Sequence, residues 1–144
     1  MTTVVDVARF ILRRCGPMTA MKLQKLVYYA QAWNLVWDEE PLFHARIEAW
    51  ANGPVVRDLY DEHRGKFRVT EEDFPSGNPE ALNASQKDTV EQVIAFYGQH
   101  NAQWLSDLTH MEEPWKLARG DLPAGASCNR EITHAQMHEF YSGL

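Results

Sequence analysis

The sequence predicts a mainly α protein: a single compact helical domain over residues 1–144, with about six helices and one small β-hairpin. Three observations carry the prediction. Apolar residues recur at helical spacing along most of the chain, and capping residues bracket those stretches. Only two short runs, 43–49 and 67–69, alternate with the two-residue period of a strand. The composition agrees: 44% of residues are hydrophobic and 11% aromatic, enough large side chains for a core. A chain of this length buries about two-thirds of its unfolded surface without staples.

The first helix covers Thr3 to Arg14, where Val4, Val7, Ala8, Ile11 and Leu12 share a face, and Gly16-Pro17 stops it. Thr19 can cap a second helix that runs to Val36 or Trp37, ahead of the acidic turn "DEEP". In "LFHARIEAW", Phe43, Ala45, Ile47 and Ala49 alternate with polar residues and read as a strand. Asn52-Gly53 then makes a turn, and Pro54 suits the first position of a helix whose apolar face is Val55, Val56, Leu59 and Tyr60. "RGKFRVT" offers a second alternating run, Phe67 and Val69.

Residues 71–84, with two prolines and several acids, read as an exposed loop. Ser85 and Asp88 suggest the cap of a helix faced by Val90, Val93, Ile94 and Tyr97 and closed by Gly98. Asn101 opens a helix bearing Trp104, Leu105 and Leu108, and Pro114 starts a short turn with Trp115 and Leu117. Thr133 and Gln136 form a capping box for a last helix with Met137, Phe140 and Tyr141.

Several function classes are disfavoured at once. The net charge is −6, from 14 Lys and Arg against 20 Asp and Glu, which argues against general affinity for nucleic-acid phosphate. Cys15 and Cys128 lie far apart and form neither a disulfide framework nor a zinc pattern, as expected for free thiols in a reducing cytoplasm. The N-terminus carries Asp6 and Arg9 within its apolar pattern, unlike a signal peptide, and no apolar run approaches the roughly 20 residues of a membrane span. Phosphate-binding, zinc-peptidase and nucleophile-elbow motifs are absent, which weighs against an enzyme.

What chemistry-bearing residues remain are sparse. His134 and His138 fall at i and i+4 on one helix face, and with His110 and Glu112 or Glu113 would make the metal site of a metal-dependent hydrolase. Solvated or locally hydrogen-bonded histidines explain the same spacing. The acidic runs at 38–40 and 71–73 would suit a basic partner, or simply solubility.

The stretch "MKLQKLVYYAQAWNLVW" at 21–37 is unusual, because its helix is apolar on two sides. Leu23, Leu26, Val27, Ala30, Trp33 and Trp37 gather on one, and Met21, Tyr28, Ala32, Leu35 and Val36 on the other. A helix apolar all round is generally buried. Alternatively the second face is partly uncovered, leaving Tyr28, Tyr29 and nearby Trp50 as aromatic anchors rimmed by Lys22, Gln24, Lys25 and Gln31, the composition of a binding hot spot.

"MTAMKLQKLVYYAQAW", "PLFHARIEAWANGPVVRDLY" and "LSDLTHMEEPWKLAR", followed by an isoleucine before the last helix, together resemble the Panacea domain, the SocA-like antitoxin family also labelled phage-associated GepA-like. The resemblance spans nearly the whole chain. It implies a cytoplasmic, non-enzymatic antitoxin without cofactors, which binds and neutralises a toxin encoded beside it. Toxins paired with the family often block translation, and one member delivers its toxin to the ClpXP protease. Carried over by position, the signature residues are Lys22, Leu23, Gln24, Lys25, Leu26, Tyr28, Tyr29, Trp50, Gly53, Pro54, Val55, His110 and Trp115. Of these, Lys22, Gln24, Lys25, Tyr28, Tyr29 and Trp50, with Arg57, are the expected partner contacts. Gly53, Pro54, Val55, His110 and Trp115 are expected to be structural.

Overall fold

A computed structural model describes residues 1–144. Its central element is α2, Ala20–Asp38, against which α1 (Val4–Cys15), α4 (Ala84–Tyr97), α5 (Ala102–Met111) and α7 (His134–Ser142) all pack. The chain is mainly α, with seven helices; α3 (Arg57–His63) and α6 (Glu113–Arg119) are short. One cluster of 34 buried apolar residues forms the core. The two-sided apolar pattern of 21–37 is thereby accounted for: Leu23, Leu26, Val27 and Ala30 are buried on one side and Tyr28, Ala32 and Leu35 on the other. Each large apolar side chain removed from water in this way contributes about 1.5–3 kcal/mol. Trp37, at the helix end, stays half exposed. No helix is long and apolar enough to cross a membrane.

The caps follow their residue chemistry. Thr3 and Asp6 make a reciprocal capping box at α1, Thr19 accepts the Lys22 N–H at α2, Asn101 caps α5, and Thr133 and Gln136 box α7. Helix α4 differs from the expected Ser85–Asp88 arrangement. Asn83 is its cap, boxed with Gln86, while the Ser85 hydroxyl donates to Asp38 at 2.7 Å. Asn outcompetes Ser here because its carbonyl reaches the Gln86 N–H at 2.8 Å while Gln86 answers on the Asn83 N–H.

The sheet content also departs from expectation. Strands β2 (Ile47–Trp50) and β3 (Gly53–Val56) form an antiparallel hairpin around Ala51-Asn52. Pro54 therefore lies opposite Ala49 in a strand and does not begin a helix; α3 starts three residues later, at Arg57. A proline is tolerated where no N–H is needed, and the β-branched Val55-Val56 pair favours the extended backbone. Residues 43–46 are not strand, although the run containing them alternates. A second sheet pairs β4 (Arg68–Val69), which falls in the second alternating run, with β1 (Met18–Thr19), which the sequence reading did not mark as a strand. Phe67, read as part of an inward-facing alternation, is 83% exposed.

Residues 71–84 are cladding on α1. Two 3-10 turns, Glu71–Asp73 and Pro79–Ala81, bring Phe74 and Leu82 into the core, and Asp6 accepts the Asn78 N–H at 2.7 Å. Pro and Gly marked the irregular backbone correctly but gave no information on the buried Phe and Leu between them.

Candidate functional site

The polar residues of α2 point inward and hold non-helical backbone. Gln24 accepts the Val56 N–H at 2.8 Å and donates to the Val56 carbonyl at 3.3 Å, acting as a strand neighbour for β3. Gln31 does the same for the 42–43 segment, accepting from Leu42 and Phe43 and donating to the Phe43 carbonyl at 2.8 Å. Buried backbone groups need such partners.

Lys25 is 1% exposed, and its ammonium donates to the Pro54 carbonyl at 3.2 Å. Burial pushes its pKa down to about 7, because taking the charged form out of water is costly. Gly53 makes room for it: at φ +114° its backbone is in the region glycine tolerates, and a Cβ there would lie 2.6 Å from Lys25 Cε.

Tyr28 and Tyr29 lie inside the core and are not surface anchors. The Tyr29 hydroxyl donates to Glu112 at 2.7 Å, the Tyr141 hydroxyl donates to the same oxygen at 2.8 Å, and Tyr28 and Tyr141 join hydroxyls at 3.0 Å. Tyr29 also stacks on Tyr97, with ring centres 4.0 Å apart. Burial raises the pKa of Glu112, with the two hydroxyls opposing, and raises those of all three tyrosines. Lys22 is committed elsewhere, donating to the Gly98 carbonyl at 2.7 Å where it closes α4.

Trp50 and Arg57 do reach a common surface feature, an open cleft of about 950 Å³ between the β2–β3 hairpin, α3, the 65–67 turn and the 125–129 loop. Gln24 and Lys25 contribute to its inner wall. Trp50 packs edge-on to Tyr60, at 4.8 Å, and its indole N–H donates to Glu48 at 2.8 Å. Arg57 is exposed and paired with Asp61. Tyr60, Lys66 and Phe67 also line the cleft, and sequence reading missed them as site residues. Tyr60 was absorbed into an apolar face, and the exposed aromatic within "RGKFR" was the available signal.

Of the remaining motif residues, Val55 also lines the cleft, and the others support its wall from behind. Val55 stands in β3, and His110 stacks on Trp115 at 4.1 Å. Trp115 in turn donates to the Trp50 carbonyl at 2.8 Å. Burial and nearby Lys25 hold the His110 pKa below its ordinary value. The alternative hydrolase site does not assemble: no group of three or more His, Cys, Asp or Glu side chains is arranged to hold a metal. His134 lies 3.4 Å from the Gln31 amide, and His138 faces Glu39 at 3.1 Å. The acidic runs are largely paired within the chain, Glu71 with Arg9 and Arg13, and Asp73 with Lys66.

No curated protein and no solved structure matches the chain. The family model described as antitoxin SocA-like, Panacea domain, matches residues 23–116, more than half of the chain. That interval runs from the inward-facing block of α2 through the hairpin to Trp115, which braces the cleft wall, and the chain belongs to the family of SocA-like antitoxins with a Panacea domain.

Proposed function

We propose that this protein is a non-enzymatic antitoxin that neutralises a cognate, translation-blocking toxin by stoichiometric binding, with the cleft at Trp50 and Arg57 as the contact surface. Family membership supports the class of function. The observation that carries the placement is the cleft itself, where aromatic side chains and an arginine stand together at an open surface. Trp, Tyr and Arg are the residue types that dominate binding hot spots.

The test is co-expression with the product of the adjacent open reading frame, scored for growth and followed by co-purification. Rescue with a stable complex supports the reading; a harmless neighbour that never co-purifies defeats it. Toxin half-life in cells with and without ClpXP separates two modes. Occlusion leaves the toxin stable when this protein is present, whereas delivery to the protease shortens its life.

A further inference from the structure

We infer that the cleft receives an extended acidic segment of the protein partner, one carboxylate of which serves as the counter-ion that Lys25 lacks within its own chain. This deepens the partner-binding reading above and rests on it.

The charge distribution selects the ligand. In a chain of net charge −6, the cleft is locally cationic: Lys25, Arg57 and Lys66 line it, against Glu48 as its one carboxylate. Glu48 is already committed, pairing with Arg46 at 3.0 Å and accepting from the Trp50 indole. Arg57 and Lys66 pair with Asp61 and Asp73 outside the cleft lining; the Arg57–Asp61 pair is exposed on both sides and contributes little.

Lys25 differs from both. Its ammonium has three donors and one acceptor, Pro54, with no carboxylate within ion-pair distance. A buried charge without a partner is costly to the fold. Lys25 forms the buried inner wall of the cleft, 1% exposed, so a carboxylate that enters the cleft meets its ammonium on local opening of the β2–β3 hairpin beside it. The aromatic rim of Trp50, Tyr60 and Phe67 suits apolar side chains alternating with the acids of an extended chain. The overall negative charge disfavours nucleic acid as the anion's source.

The test uses the full chain and three defined probes in calorimetric titration: an octapeptide alternating Glu and Leu, the same peptide with Gln for Glu, and a single-stranded oligonucleotide. The acidic peptide is expected to bind saturably and at least tenfold more tightly than the Gln peptide, with the Trp50 indole N–H signal shifting on titration. Lys25→Met is expected to weaken it at least tenfold while the folded protein remains as stable as wild type or more so. Equal binding of the two peptides, no binding of either, undiminished binding by Lys25→Met, or preference for the oligonucleotide would each overturn the inference. None of those results touches the antitoxin reading, which co-purification with the toxin decides separately.

Discussion

Gln24 holds Val56 by both of its backbone groups, so that a glutamine side chain on a helix completes the outer edge of a strand. The same amide lies 3.0 Å from the His63 ring. With one amide hydrogen on the Val56 carbonyl, the other is donated to His63 Nε2. Gln24→Ala removes all three contacts and leaves the buried Val56 N–H without a partner, a loss of about 2–3 kcal/mol. Urea denaturation measures the total, and hydrogen exchange at Val56 should show the earliest local opening.

Lys25→Met is expected to raise stability at pH 7 by on the order of 2 kcal/mol. The wild-type slope has a definite sign. Between 10.5 and about 7 the unfolded chain binds a proton that the folded chain resists, so stability falls as pH drops through that window and levels off below it. Melting curves from pH 7 to 10 should therefore slope for wild type and flatten for Lys25→Met.

Glu112 works in the opposite sense. Its folded pKa is raised, so the folded state retains a proton that the unfolded carboxyl releases near its ordinary value of about 4.3. The stability from this group is present below that value and is lost as pH rises through the folded one. Glu112→Gln should cost little at pH 4 and gain in stability relative to wild type at pH 7. Equal differences at both pH values would show that the carboxyl ionises normally.

Two glycines with positive φ should respond unequally to alanine. Gly53→Ala adds a Cβ 2.6 Å from Lys25 Cε and 2.9 Å from Thr109 Oγ1, and is expected to cost at least about 3 kcal/mol through strain and overlap together. Gly16→Ala meets nothing within 4 Å and should cost about 1 kcal/mol, the backbone term alone. Thermal denaturation of both variants gives the comparison.

Arg57→Glu should leave the melting temperature within a degree or two, since its ion pair with Asp61 is exposed, and should weaken toxin binding at least tenfold. Tyr29→Ala should instead unfold much of the protein, as expected on removing a side chain of 0% exposure. A stable, fully binding Arg57→Glu protein would place the interface elsewhere.

The helical skeleton was legible because its signals are local. Thr19, Asn101 and the Thr133–Gln136 box each act within one turn, and the double apolar face of 21–37 correctly marked a buried helix. The second sheet was only half legible: the alternating run at 67–69 marked β4, but its partner Met18–Thr19 lies half a hundred residues away and is too short to show a strand period. The candidate site was half legible. Trp50 and Arg57 reach the cleft, but Tyr28 and Tyr29 looked like amphipathic anchors and proved to be hydrogen-bonded to one another's neighbours inside the core. Sequence spacing cannot reveal that Glu112, at the α5–α6 junction, and Tyr141, in α7, supply their partners. Likewise Gln24 and Lys25 resembled rim residues because their acceptors belong to the backbone of β3, which has no side-chain signature.

The tyrosine cluster around Glu112 also constrains how the protein can be made. Its participants come from α2, the start of α6 and α7, so on the ribosome the first hydroxyl is available long before the last. Until α7 has emerged, Glu112 has one donor where it later has two, and the Tyr28 hydroxyl lacks its acceptor. The central helix therefore waits for a segment translated more than a hundred residues after it, and a nascent chain stalled before Tyr141 should remain open to proteases that spare the finished protein.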